Sequence, residues 1–156
     1  MIRVLFVCMG NICRSPMAEA VFTHLVEEAG LGDQLEIDSV GTTSYHVGEP
    51  AHPGTRRVLA QHDIQSHSIS RKINSTDLAE ADYLIAMDHD NLEDLQAMAR
   101  RIPVNSHLHL LLEFASNAPA LDVPDPYYSN NFEHVYRLVE SGCQGLLAHI
   151  RQGEGI

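Results

Sequence analysis

Apolar positions along this chain switch between two rhythms. Residues 2–7 form a nearly continuous apolar, β-branched run broken only by Arg3. Such a run predicts a strand buried on both faces, and hence parallel pairing. Ala18, Val21, Phe22, Leu25 and Val26 then recur at helical spacing up to Gly30. The helix is predicted to open at Ser15-Pro16, with Ser15 as the cap and Pro16 in the first helical position. Residues 35–40 read as a second strand, and residues 41–53, with two Pro and two Gly, as a long surface loop. Loops of that length in a compact domain often carry function.

The same alternation continues to the end. Residues 53–61 read as a helix, Asn74-Ser75-Thr76-Asp77 as a cap with a short helix, and residues 82–87 as a third buried strand. Leu92, Leu95 and Met98 mark a helix over 88–101, and residues 104–112 hold a fourth apolar stretch. Residues 117–130 are Pro-rich, and residues 132–150 form an amphipathic closing helix. Strands alternating with helices predict an α/β fold. The expected architecture is a single domain over 1–156: a four-stranded parallel sheet with helices on both faces, flavodoxin-like and doubly wound. In such sheets ligands sit at the carboxyl ends of strands, where Cys8 falls.

The formal net charge is −11, from 10 Lys+Arg against 21 Asp+Glu. This balance argues against a nucleic-acid partner, which needs a basic face. A substrate with a single phosphate is easier to reconcile with it. The three cysteines, Cys8, Cys13 and Cys143, form no disulfide framework and suit a reducing compartment. With no signal peptide and no apolar stretch of membrane-spanning length, the expected location is the cytoplasm, away from any membrane.

The densest chemistry is at Cys8-Met9-Gly10-Asn11-Ile12-Cys13-Arg14-Ser15. A thiol is mostly protonated at neutral pH and a poor nucleophile. A helix N-terminus, a guanidinium and a hydroxyl donor such as Ser15 all favour the thiolate. The N–H groups from Met9 to Arg14 can curl inward as an anion nest, and Gly10 and Asn11 tolerate the positive φ a nest requires. Arg14 suits bidentate binding of phosphate oxygens. Other readings compete. Cys8 can be an inert buried thiol. Cys8 and Cys13 can be a redox pair, though four residues separate them. A nucleotide-phosphate loop lacks its Gly-x-x-x-x-Gly-Lys-[Ser/Thr] pattern, since Lys72 is the only lysine.

The run from Val7 to Glu19 resembles the signature of the low-molecular-weight protein tyrosine phosphatases. Ser39-Val40-Gly41-Thr42, Ala86-Met87-Asp88 with Asn91, and Asp125-Pro126-Tyr127-Tyr128 resemble further segments of that family. The resemblance implies a metal-independent and cofactor-free hydrolysis of phosphotyrosine or small aryl phosphates, releasing inorganic phosphate. It implies Cys8 as nucleophile, Arg14 as phosphate ligand and Asp125 as general acid and base. Asn11, Ser15 and Ser39 resemble the polar network that shapes the loop. Cys13 resembles a second loop cysteine able to bridge reversibly to Cys8. A tyrosine kinase is the implied partner class.

Tyr45, Tyr127 and Tyr128 are candidate walls of a slot for a phenyl ring. His67 is a candidate support for the loop, although its spacing before Ser70-Arg71 departs from the family by one residue. Tyr45 stands where many members carry Trp, and His52-Pro53-Gly54 where Asp-Pro-Arg is usual. Among neighbouring activities, arginine phosphatases typically carry Thr at the position of Ile12, and an apolar side chain there favours an aryl ester. A thiol arsenate reductase needs a cysteine relay, and none lies between Cys13 and Cys143. A non-catalytic phosphate-binding module would not need Cys8, Arg14 and Asp125 together.

Overall fold

Four parallel strands carry the chain's apolar runs, in the order β2-β1-β3-β4. The computed structural model describes residues 1–101 and 107–156. The strands are β1 (Ile2–Cys8), β2 (Leu35–Gly41), β3 (Tyr83–Ala86) and β4 (His107–Leu110). The helices are α1 (Arg14–Glu28), α2 (Pro53–Gln61), α3 (Ser75–Glu80), α4 (His89–Ala99), α5 (Pro126–Ser129) and α6 (Phe132–Glu154). The start of the fourth apolar stretch, at Val104, lies outside the described residues. Its end is corrected: β4 stops at Leu110, and Leu111–Glu113 form a 3-10 turn. Leu111 and Leu112 are buried in that turn as they would be in a strand, so burial alone does not distinguish the two shapes.

The period of two along β1 divides the core. Val4, Phe6 and Cys8 pack under α1, α2 and α6 with Phe22, Leu59, Val139 and Leu146. Leu5 and Val7 face the other way, toward Leu78 of α3 and Leu95 of α4. Both faces of the sheet are thus covered, which is why β1 reads as continuously apolar. Cys143 is buried in α6, and its thiol, held up by burial, contacts the Ala18 carbonyl at 3.7 Å. Among the described residues no helix is long and apolar enough to cross a membrane.

Strand order sets the place of the site. The chain leaves β1 to one side for β2, then returns to its other side for β3. The carboxyl ends of β1 and β3 therefore open a crevice where the connections diverge. The loop carrying Cys8 leaves β1 there, and Asp88 follows β3 at the same end.

Candidate active site

The loop between β1 and α1 is held from outside by its carbonyls. Those of Cys8 and Met9 accept the N–H groups of Thr42 and Thr43 at 2.9 and 3.1 Å, and that of Ile12 accepts His52 N–H at 2.7 Å. The Gly10 and Cys13 carbonyls accept the hydroxyls of Ser70 and Thr55, each at 3.0 Å. With the carbonyls drawn outward, the N–H groups turn inward. That of Asn11 points at Cys8 Sγ, 3.3 Å away. Among the described residues, the N–H groups of Gly10, Ile12 and Cys13 have no protein acceptor. This is an anion nest at a helix N-terminus.

Asn11 carries the positive φ of the turn, at 56°. Gly10 does not, contrary to expectation. Its glycine answers a different constraint, because a Cβ there would lie 2.9 Å from the His46 ring. Ser15 is also corrected. It is not the cap, because α1 already starts at Arg14 and Cys13 occupies the cap position without a side-chain bond. The Ser15 hydroxyl lies instead 3.0 Å from Cys8 Sγ and accepts from Asn11 Nδ2 at 2.8 Å. Asn11 Nδ2 also donates to Ser39 Oγ at 3.0 Å, and Asn11 Oδ1 accepts the Arg71 N–H at 3.1 Å. All of these side chains are buried except that of Arg71.

Arg14 is buried with its guanidinium beneath the loop. Nη1 donates to Asp88 Oδ2 at 2.5 Å and to the Val123 carbonyl at 3.0 Å. Nη2 lies 3.6 Å from Asp125 Oδ2. Burial disfavours the charge on Arg14, but the Cys8 sulfur, Asp88 and Asp125 together outweigh it and raise its pKa. Arg14 is therefore a permanently charged group. Asp125 caps α5, its Oδ1 accepting the Tyr127 N–H at 3.1 Å with Pro126 at the first helical position.

These groups open into one cleft of about 220 Å³. Cys8, Cys13 and Arg14 lie at its base, with Asp125 on one side. Met9, Ile12, Tyr45, His46, Tyr127 and Tyr128 line it, and the two tyrosines of α5 meet edge to face with centroids 5.3 Å apart. A larger cavity of about 360 Å³ lies elsewhere, between α1 and residues 63–67. It holds neither a thiol nor a guanidinium, so the chemistry belongs to the smaller cleft.

The model of the low molecular weight phosphotyrosine protein phosphatases matches residues 3–154. The chain belongs to this family. It is similar to the low molecular weight protein-tyrosine-phosphatase YfkJ of Bacillus subtilis, at 44% identity over 153 residues, covering 97% of each. The crystal structure of YfkJ superposes with a TM-score of 0.93 over 98% of this chain and 96% of that one. A protein tyrosine phosphatase from Entamoeba histolytica is 36% identical with a TM-score of 0.91, covering 99% of both chains. The Drosophila arginine phosphatase DARP is 32% identical with a TM-score of 0.91, covering 97% of this chain and 98% of that one.

Within this family member, two residues escaped sequence reasoning: Asp88, which pairs with Arg14, and His46, which lines the cleft. Asp88 was legible only as part of a matched segment, though an acid at the carboxyl end of β3 is where a partner for Arg14 should be sought. His46 lies in the long loop after β2, and its ring sits 5.9 Å from that of Tyr127. His67 lines the larger cavity, and no hydrogen bond joins it to the loop among the described residues. The support comes instead from Ser68 Oγ, 3.2 Å from Ser39 Oγ, and from Ser70 and Arg71. No group of three His, Cys, Asp or Glu side chains among the described residues could hold a metal ion.

Proposed function

We propose that residues 1–156 form one phosphatase domain that hydrolyses phosphotyrosine or other aryl phosphate monoesters through a phosphocysteine intermediate. One observation carries this reading: Cys8 Sγ, the inward N–H groups and Arg14 converge at the base of the cleft that Asp125 flanks. The loop N–H groups and Arg14 hold the phosphoryl oxygens and meet the charge that develops on them. The Cys8 sulfur attacks phosphorus while the bond to the phenolic oxygen breaks. Asp125 gives its proton to that oxygen. A water then attacks the phosphocysteine, Asp125 takes its proton, and the sulfur–phosphorus bond breaks to release inorganic phosphate. Met9, Gly10, Asn11, Ile12, Cys13 and Ser15 form the cradle, with Ser39 as its support.

Ile12 and the rings of Tyr45, Tyr127 and Tyr128 line the path of the leaving group, and their apolar surface suits an aryl ring better than a charged guanidinium. Such a substrate needs a tyrosine kinase upstream, and three free thiols suit the cytoplasm. Cys13 is the resolving thiol for an oxidised Cys8. The test is turnover of matched phosphotyrosine, phosphoserine and phosphoarginine peptides by the wild type and by Cys8→Ser. Hydrolysis of phosphotyrosine that Cys8→Ser abolishes, with inorganic phosphate still bound, is the expected result. Turnover retained in Cys8→Ser rejects the nucleophile, and preference for phosphoarginine rejects the substrate class.

A further inference from the structure

Glu19, on the second turn of α1, stands one hydroxyl away from the loop network. Its Oε1 accepts the Ser39 hydroxyl at 2.5 Å. A hydroxyl has a single proton, so donating it to Glu19 leaves only lone pairs facing Asn11. Asn11 must then turn its NH₂ group toward Ser39, at 3.0 Å, and its second hydrogen reaches Ser15 Oγ at 2.8 Å. Ser15, an acceptor from Asn11, is left with its own proton for Cys8 Sγ at 3.0 Å. The Arg71 N–H on Asn11 Oδ1 agrees with the same sense.

We propose that Glu19 is a positioning residue whose ionised carboxylate sets the direction of the Ser39–Asn11–Ser15 hydrogen bonds, so that the Ser15 O–H points at the Cys8 sulfur and stabilises its thiolate. The inference rests on the reading of Cys8 as nucleophile. Ser39 does not need a carboxylate merely to be satisfied, because Asn11 and Ser68 already lie within reach. An ionised carboxylate differs from every neutral partner in being acceptor-only. Its partial burial also has a cost. Burial raises the pKa of Glu19 and Asp38 adds to this, while the hydrogen bonds from Ser39 and Ser68 and the charge of Arg71 oppose it. His24 and His67 line the cavity on the outer side of Glu19.

The experiment measures two things for wild type, Glu19→Ala, Glu19→Gln, Ser39→Ala and the Glu19→Ala/Ser39→Ala double variant. One is the pH profile of Cys8 alkylation by iodoacetate, and the other is kcat and KM on an aryl phosphate. Glu19→Ala is expected to raise the alkylation midpoint by about one pH unit. It should lower kcat about tenfold, the size of one lost charge-assisted hydrogen bond, with KM little changed. Glu19→Gln is neutral and can present either its oxygen or its NH₂ group to Ser39, so it should recover only part of both losses. In the Ser39→Ala background, Glu19→Ala should add nothing. An unmoved alkylation midpoint in folded Glu19→Ala, or additive effects in the double variant, overturns the proposal. If Glu19→Ala does not fold, Glu19→Met preserves the volume and carries the same test with the same outcomes. Alkylation reads the sulfur without turnover, so an inactive wild type would sink the nucleophile reading while the profile still decides the role of Glu19.

Discussion

Arg14 Nη2 and Asp125 Oδ2 face each other across the cleft at 3.6 Å, although 111 positions of sequence separate the two residues. The other Asp125 oxygen holds the first turn of α5 through the Tyr127 N–H, 3.1 Å away. The capping bond therefore aims the carboxylate at the guanidinium.

That division of labour separates two effects of mutation. Asp125→Asn keeps a good cap, since Asn and Asp cap equally well, but has no proton to give. Its kcat should fall about 10²- to 10⁴-fold on phenyl phosphate. On an aryl phosphate with a strongly acidic phenol the loss should be far smaller. Rates across a leaving-group series check this, and equal losses along the series remove Asp125 as the acid.

Asp88 shares its carboxylate in a similar way. Oδ1 caps α4 through the Asn91 N–H at 2.8 Å, and Oδ2 pairs with Arg14. Asp88→Asn should keep the cap and leave a buried guanidinium short of countercharge. The cost without ligand is expected at about 1–3 kcal/mol of stability. Inorganic phosphate supplies the missing anion, so it should raise the variant's Tm more than the wild type's. Equal phosphate-induced shifts would show that Asp88 does not balance Arg14.

The Cys13 thiol is pushed up to about 12, first by burial and then by Asp125 and Cys8, with Arg14 opposing. At neutral pH it stays protonated, so it does not compete with Cys8 for substrate. After peroxide converts Cys8 to a sulfenic acid, attack by Cys13 with loss of water gives a Cys8–Cys13 disulfide. Mild peroxide should inactivate the enzyme, a dithiol should restore it, and bridging should quicken as pH rises. A peptide map without the bridge after reversible inactivation would be falsifying evidence.

His52 caps α2 by accepting the Gly54 N–H on Nδ1 at 3.0 Å. Burial lowers its pKa, and Arg56, Arg57 and His46 lower it further. A pKa lower in the folded than in the unfolded chain means the neutral ring's contribution is complete above the ordinary histidine range. It is lost as pH falls through the folded value. His52→Asn caps without titrating, so its Tm should drop less than the wild type's between pH 7.5 and pH 5.5, the interval spanning histidine titration. Melting curves at both pH values decide it, and equal drops reject the capping role.

Much of the architecture was legible because it is local. The doubled burial of β1 shows as an apolar run broken only by Arg3, and the Asn74–Asp77 capping box announces α3. The 3-10 turn after β4 was not legible, because Leu110, Leu111 and Leu112 are buried whichever way the backbone turns. Ser15 misled for a related reason. Its hydroxyl suits a helix cap, but the loop brings Cys8 and Asn11 close enough to engage it instead.

By itself the sequence determined the α/β order, the strand–loop–helix that presents Cys8 and Arg14, and the residues with chemistry to offer. Each follows from spacing of a few residues, within which side-chain type and backbone preference act directly. Only the tertiary structure decided which distant groups meet them. Asp88 pairs with Arg14 because β3 lies beside β1, and Glu19 reaches the loop through Ser39 on β2. Such contacts depend on strand order and on the outward pull of the loop carbonyls, which no run of neighbouring residues encodes.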